Sequence, residues 1–245
     1  LSKRDGAKDI LAYREEGYLP DAMLNFLASL GWNDGTEQEV FTRDELIEKF
    51  SLKRVQKSGA RFDEKRLLWL NGAHIRNIPV DKIYEYVSPW DDNPQKDGGQ
   101  TGFWPESAYA PDMTKEYRMK VLTLAQDRLK MFEDLRGFDY FFADPEIDTE
   151  LIDGNKQLRK LTDDERRDLL TIARQEFEKI TDWTPETIQN CLNELLETTG
   201  QKPGILFSLV RIVTTWAPFS PQLNDTLALI GKEKTLQRID NYLQK

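Results

Sequence analysis

Two residue types that do much of protein chemistry occur once each in this chain: one histidine, His74, and one cysteine, Cys191. A zinc site draws four ligands mainly from these two types, so one of each, far apart in sequence, makes none. A Ser-His-Asp or Cys-His nucleophile would have to use His74 as its base. Nothing in Asn71-Gly72-Ala73-His74-Ile75 supplies the rest of such a set, so His74 is expected as an exposed or capping side chain. The lone cysteine excludes an internal disulfide and fits a reducing compartment. No glycine-rich phosphate loop and no His-x-Glu pattern is present, and carboxylate pairs on helices read as solvated faces rather than acid-base pairs. The net charge of -9 weighs against phosphate binding, although a local basic face is compatible with an acidic total.

The elements that must carry any site are helical. Residues 7–16 read as a short helix stopped by Gly17. Pro20 opens the next, with a stripe of Met23, Leu24, Phe26, Leu27 and Leu30 that ends at Gly31. Thr42 with Glu45, and Thr162 with Glu165, are capping boxes. Asp63 caps a helix bearing Leu67, Leu68, Trp69 and Leu70, and residues 81–87 make another short one; Leu24, Phe26, Leu27, Leu67 and Trp69 are expected in the core. Residues 88–111, rich in proline and glycine, are too long for an ordinary connection and match no motif. The spacing over 115–136 predicts one long amphipathic helix, and 138–154 an aromatic, acidic linker. Helices follow from Pro185, through the apolar run 207–215, from Ser220-Pro221 to Ile230, and over 232–243. Val40-Phe41 is the single short strand candidate. The expected fold is all-α: a helical block over 1–76, then a helical superstructure divided into 77–150 and 151–245. Mean hydropathy is -0.64, and no apolar stretch approaches the roughly 20 residues that cross a bilayer. The N-terminus has no signal-peptide core.

Ordered motifs run through the first part: LSKR at 1–4, YLPDAMLNFLASLGW at 18–32, FSLKRV at 50–55, FDEKRLLWLNG at 62–72 and HIR at 74–76. Together they resemble the C-terminal part of bacterial-type glutamyl-tRNA synthetases, from the tail of the "KMSKS" ATP loop through the stem-contact block. Fainter matches follow at LAQDRLK (124–130), QKPGILFSLVR (201–211), SPQL (220–223) and LALIGKE (227–233). Where the family has a glycine after its A-L-T, this chain has Trp216 after Val213-Thr214-Thr215.

The resemblance implies a tRNA-reading, anticodon-binding module of a ligase, cut from the half that carries the "HIGH" motif and catalysis. Lys3 matches the second lysine of the ATP loop, which places positive charge on the ATP phosphates. Lys53, Arg54 and Lys57 are candidate tRNA-backbone contacts or ordinary solvated charges. Arg128 matches the arginine that reads the third anticodon base and implies a preference for tRNA(Glu); as a residue alone it is equally a surface arginine. Arg211, Lys232 and Lys234 are candidates near the first two anticodon bases. Trp216 and Phe219 either stack on bases or are buried. ATP and Mg²⁺ belong to the full-length enzyme, as does the chain's partnership with its own catalytic domain. The chain is expected to be a cytoplasmic monomer without membrane contact, to bind tRNA(Glu) weakly in low salt, and to be inactive alone. The alternative reading is an acidic helical scaffold for protein partners with no RNA role.

Overall fold

The computed structural model describes residues 8–56, 62–88 and 102–245. All regular elements among them are helical and none is a strand, as the sequence predicts. They form two compact units. The first comprises the described residues up to Trp104 together with Gln126–Arg136; the second comprises Pro105–Ala125 and Gly137–Lys245.

In the first unit, helices α1 (Ile10–Glu15), α2 (Pro20–Ser29), α3 (Arg43–Lys49), α4 (Glu64–Asn77) and α5 (Val80–Val87) start where local chemistry tells them to. Asp9 accepts the Leu11 N–H at 2.9 Å, Pro20 fills the first position of α2, and both bonds of the Thr42–Glu45 capping box are present. Asp63 accepts from Lys65 and Arg66. Each such cap satisfies donors that would otherwise be orphaned and contributes about 1 kcal/mol. The core gathers Tyr13, Tyr18, Met23, Phe26, Leu67 and Leu70 between α1, α2 and α4.

Three expectations change here. Leu24, Leu27 and Trp69 lie at the surface, 41 %, 43 % and 47 % exposed. The buried residues of α4 are Leu67 and the whole run from Leu70 to Ile75, and Trp69 sits about 200° of helix rotation from Leu67. Leu24 stands in the same relation to the buried Phe26. Val40-Phe41 is not a strand: the buried Phe41 N–H is taken by the Asn25 side chain at 2.9 Å, so it needs no neighbouring strand. His74 is neither exposed nor a cap. It is 8 % exposed, with Nε2 3.0 Å from Asn25 Oδ1, and burial holds its pKa below the usual imidazole value. Asn25 Oδ1 only accepts, so His74 donates from Nε2.

The second unit holds α6 (Lys115–Ala125), α7 (Glu150–Gly154), α8 (Asp163–Lys179), α9 (Pro185–Thr199), α10 (Pro203–Thr215), α11 (Leu223–Ile230) and α12 (Lys232–Leu243). The apolar α10 is enclosed by its neighbours and buries Leu206, Leu209, Val210 and Val213 in a core shared with Leu170, Phe177, Leu192 and Ile239. Arg238 on α12 is buried, yet its guanidinium reaches the carbonyls of Thr214, Tyr140 and Ala143 and the Asp144 carboxylate, at 2.8–3.2 Å. These partners meet the requirement that a buried charge be paired and hydrogen-bonded.

Two further expectations fail. Residues 138–154 are not a plain linker, because Phe138, Tyr140, Phe141 and Phe142 are all buried. The long helix over 115–136 ends at Ala125, passes through a 3-10 turn at Gln126–Arg128, and resumes as 3-10 turns over Phe132–Phe141. The Asp134 carboxylate takes the N–H groups of Lys130 and Met131 at 2.8 and 3.1 Å, which a continuous α-helix would direct to carbonyls one turn back.

Candidate nucleic-acid interface

Arg128 ends the 3-10 turn that breaks the long helix. Its neighbour Leu129 is buried, while Arg128 itself is exposed and makes no hydrogen bond or ion pair among the described residues. The turn beneath it is held from several sides. The Gln126 amide donates to the carbonyls of Ile75 and Ile78 at 2.9 and 2.8 Å, a second donor for the Ile75 carbonyl, which also takes the Ile78 N–H, and a partner for the carbonyl just past the end of α4. Asn71 Nδ2 donates to the Lys130 carbonyl at 2.6 Å, and Asn71 Oδ1 accepts the Leu19 N–H at 2.8 Å. Gly72 lets the segment lie close: a Cβ there would stand 3.1 Å from the Leu129 carbonyl oxygen and 3.4 Å from Lys130 Cα. Phe132 N–H then bonds to the Gly17 carbonyl at 3.2 Å. Gly17 has φ +87°, and a Cβ on it would meet the Phe132 backbone nitrogen at 2.6 Å, so both conformation and space require glycine. The Asn71-Gly72 and Gly17 positions therefore shape the platform on which Arg128 stands.

Lys53 and Arg54 lie on a 3-10 turn, Leu52–Arg54, and both are exposed. Lys53 has no partner among the described residues, whereas Arg54 Nη1 donates to the Asp34 carbonyl. Lys3 and Lys57 lie outside the described residues, as does most of the 88–111 stretch. The described end of that stretch is anchored: buried Trp104 donates from Nε1 to Ser88 Oγ at 2.7 Å.

In the second unit, Arg211 is half-buried on α10 and donates from Nε to Ser220 Oγ at 2.9 Å. Trp216 ends α10 with φ +44° and ψ +38°, the left-handed conformation that glycine adopts without penalty. Its indole packs on the core beside Tyr242, ring centroids 6.1 Å apart. Phe219 is 52 % exposed. Lys232 Nζ donates to the carbonyls of Glu178 and Ile180 at 2.8 and 2.6 Å, so its ammonium caps the C-terminal end of α8, where the helix dipole favours a cation. Lys234, half-exposed on α12, has no partner among the described residues.

The structure thus groups Lys53 and Arg54 on one turn, and Arg211 with the segment before α11. Asn71, Gln126 and Arg238 were not marked by sequence reasoning. The N-G pair of the WLNG motif was a signal for Asn71; no local pattern marks the other two. Cys191 is buried, and burial pushes its thiol up to about 11, so it is no nucleophile at neutral pH. Among the described residues no group of three or more His, Cys, Asp or Glu side chains could hold a metal ion. No described helix is long and apolar enough to cross a membrane.

Comparison with known proteins gives two family matches: the anticodon binding domain over residues 82–243, and the catalytic domain of class I tRNA synthetases (E and Q) over residues 1–69. Relatives include a glutamate–tRNA ligase of Thermodesulfovibrio yellowstonii, 33 % identical over 98 % of this chain and 48 % of the relative. Glutamate–tRNA ligase 1 of Alkalilimnicola ehrlichii is 35 % identical over 98 % of this chain and 47 % of its own length. The chain therefore spans about half the length of these relatives. The crystal structure of a glutamate tRNA ligase from Elizabethkingia meningosepticum, in complex with its amino acid, shares the fold with TM-score 0.71 at 24 % identity, covering 100 % of this chain and 48 % of that one.

Proposed function

Because the chain belongs to the anticodon binding domain family, we propose that it binds tRNA(Glu) and reads its anticodon, as one part of a glutamate–tRNA ligase that works in the cytoplasm as a monomer. The observation that carries this reading is Arg128: an exposed, unpartnered guanidinium on a turn fixed by Gln126, Asn71 and Asp134. Leaving a charge exposed is ordinary, but immobilising its backbone from three sides is what a reader of base edges needs. A guanidinium can donate two parallel hydrogen bonds to a base or lie flat on one, and a preset backbone lowers the ordering cost of doing so. Arg211 and Lys234 on the second unit, and Lys53 and Arg54 on the first, supply further positive charge for the RNA, whereas the Lys232 ammonium is held by the carbonyls at the end of α8.

ATP and Mg²⁺ would serve the ligase through its catalytic part, with Lys3 contributing charge toward the ATP phosphates. The chain alone is expected to show no ATP–pyrophosphate exchange.

The test is a salt titration of binding to a tRNA(Glu) transcript. For wild type, the logarithm of affinity should fall linearly with the logarithm of salt concentration. Arg128→Ala should lose about 1–3 kcal/mol and relax discrimination at the third anticodon base, with little change in slope. No binding even in low salt would sink the proposal in favour of a protein-interaction scaffold.

A further inference from the structure

Phe219 is out of character with its surroundings. Every other large, clearly exposed apolar side chain among the described residues, from Ile10 to Tyr86, belongs to the first unit. Phe219 alone of this kind stands on the second. Its ring meets the buried Phe138 in a T-shaped contact, centroids 6.4 Å apart and planes 78° apart, and Phe138 in turn stacks on Phe141. A T-contact engages either the edge of a ring or one of its faces, so at least one face of Phe219 is left uncovered by Phe138.

The backbone under the ring is pinned on both sides. Pro218 and Pro221 fix their own φ angles. Ala217 is buried and its N–H donates to Thr215 Oγ1 at 3.3 Å. Ser220 is buried; its Oγ accepts from Arg211 Nε at 2.9 Å and donates to the Pro221 carbonyl at 3.0 Å. The ring is thus presented rather than left loose, and its neighbour in sequence is bonded to a guanidinium.

We infer that Phe219 is a stacking platform for one unstacked base of a single-stranded RNA loop, seated beside the Arg211 guanidinium. This rests on the tRNA reading above and assigns a contact within it. An exposed flat ring on a segment bonded to a cation, here through Ser220 Oγ, is the pairing that single-stranded nucleic acid uses, because each base offers a π-face and each nucleotide a phosphate. The scale of the feature favours a base over a protein partner. A specific protein interface buries on the order of 1,000 Å² or more, and this is one ring between Pro218 and the buried Ser220. A base needs only one ring.

The experiment uses the whole chain, wild type and three variants, Phe219→Ala, Phe219→Leu and Phe219→Trp. The probes are a tRNA(Glu) anticodon stem-loop with 2-aminopurine placed at one loop position at a time, and a fully paired RNA duplex. Phe219→Ala should weaken stem-loop binding roughly tenfold. Phe219→Leu, apolar but without a π-face, should be as weak, and Phe219→Trp should restore binding. The salt slope should stay unchanged across the three, and one 2-aminopurine position, quenched in the wild-type complex, should brighten with Phe219→Ala. Duplex binding should not respond. Wild-type affinity in Phe219→Ala or Phe219→Leu overturns the assignment while leaving the tRNA reading intact. So does a variant whose only change is altered self-association, which would make the ring a protein contact. Failure of the wild-type chain to bind the stem-loop in low salt removes both readings together.

Discussion

The amide of Asn71 donates to the Lys130 carbonyl at 2.6 Å across 59 residues of sequence. Its Oδ1 takes the Leu19 N–H, so one buried side chain fastens α4 to the start of α2 and to the segment that carries Arg128. Asn71→Leu keeps the volume but leaves the buried Leu19 N–H and the part-buried Lys130 carbonyl without this partner. A loss of about 2–5 kcal/mol is expected from the desolvation cost of such orphaned groups. Urea unfolding checks it; a change below 1 kcal/mol would show that water replaces the amide.

Trp216 offers a test in which glycine and alanine exchange their usual order. With φ +44° at the end of α10, any side chain there bears a left-handed penalty of about 1–2 kcal/mol. Trp216 offsets it by packing beside Tyr242. Both Trp216→Gly and Trp216→Ala should be less stable than wild type, but the glycine variant should be the more stable of the two, by roughly 1 kcal/mol. Paired thermal melts decide, and an alanine variant equal to or better than glycine would contradict the backbone assignment.

How much of this could be read from the sequence depended on the range of the interaction. The capping boxes at Thr42 and Thr162 and the stop at Gly17 were legible because donor and acceptor lie within four residues. The break after Ala125 was not. Its apolar spacing continues smoothly past Arg128, and Asn71, Gly72 and Gly17, which receive the diverted chain, lie more than fifty residues upstream. Burial of Leu24 and Trp69 was misjudged because a hydrophobic stripe does not reveal how wide its partner is. Among the site residues, Arg128 and Arg211 were marked only through resemblance, since an isolated arginine on a helix carries no local signature. At Trp216, a tryptophan stands where the resembled family has glycine; the departure alone carried no backbone reading, and the structure shows the position to be left-handed.

Lys232 should separate stability from RNA affinity. Its ammonium is engaged by two carbonyls at the end of α8, so Lys232→Met is expected to lower stability by roughly 1 kcal/mol. The salt slope of tRNA binding should not move. A slope smaller by about 1 would place this lysine on a phosphate instead.

His74 makes stability depend on pH. Burial holds its folded pKa below the ordinary value of 6.5, so below pH 6.5 the unfolded chain takes up the proton more readily than the folded one. Stability from the neutral, buried imidazole is fully present above that value. It falls as pH drops toward the folded pKa, with a slope of up to about 1.4 kcal/mol per pH unit. His74→Gln retains an N–H donor for Asn25 and should flatten this part of the profile in urea titrations between pH 7 and 5. An unchanged slope would mean that other groups account for it.

The chain passes between its two units three times, after Trp104, after Ala125 and after Arg136. Eleven residues, Gln126–Arg136, are an excursion of one unit's chain into the other's fold. A single cut therefore releases neither unit whole. Severed after Trp104, the first unit would lose its Gln126–Arg136 strip, and with it the partners of Gly17 and Asn71. The strip that bears Arg128 is in this sense on loan: the chain on either side of it belongs to one unit and its structural support to the other, so excising either unit as an autonomous module would forfeit Arg128 or the platform that orients it.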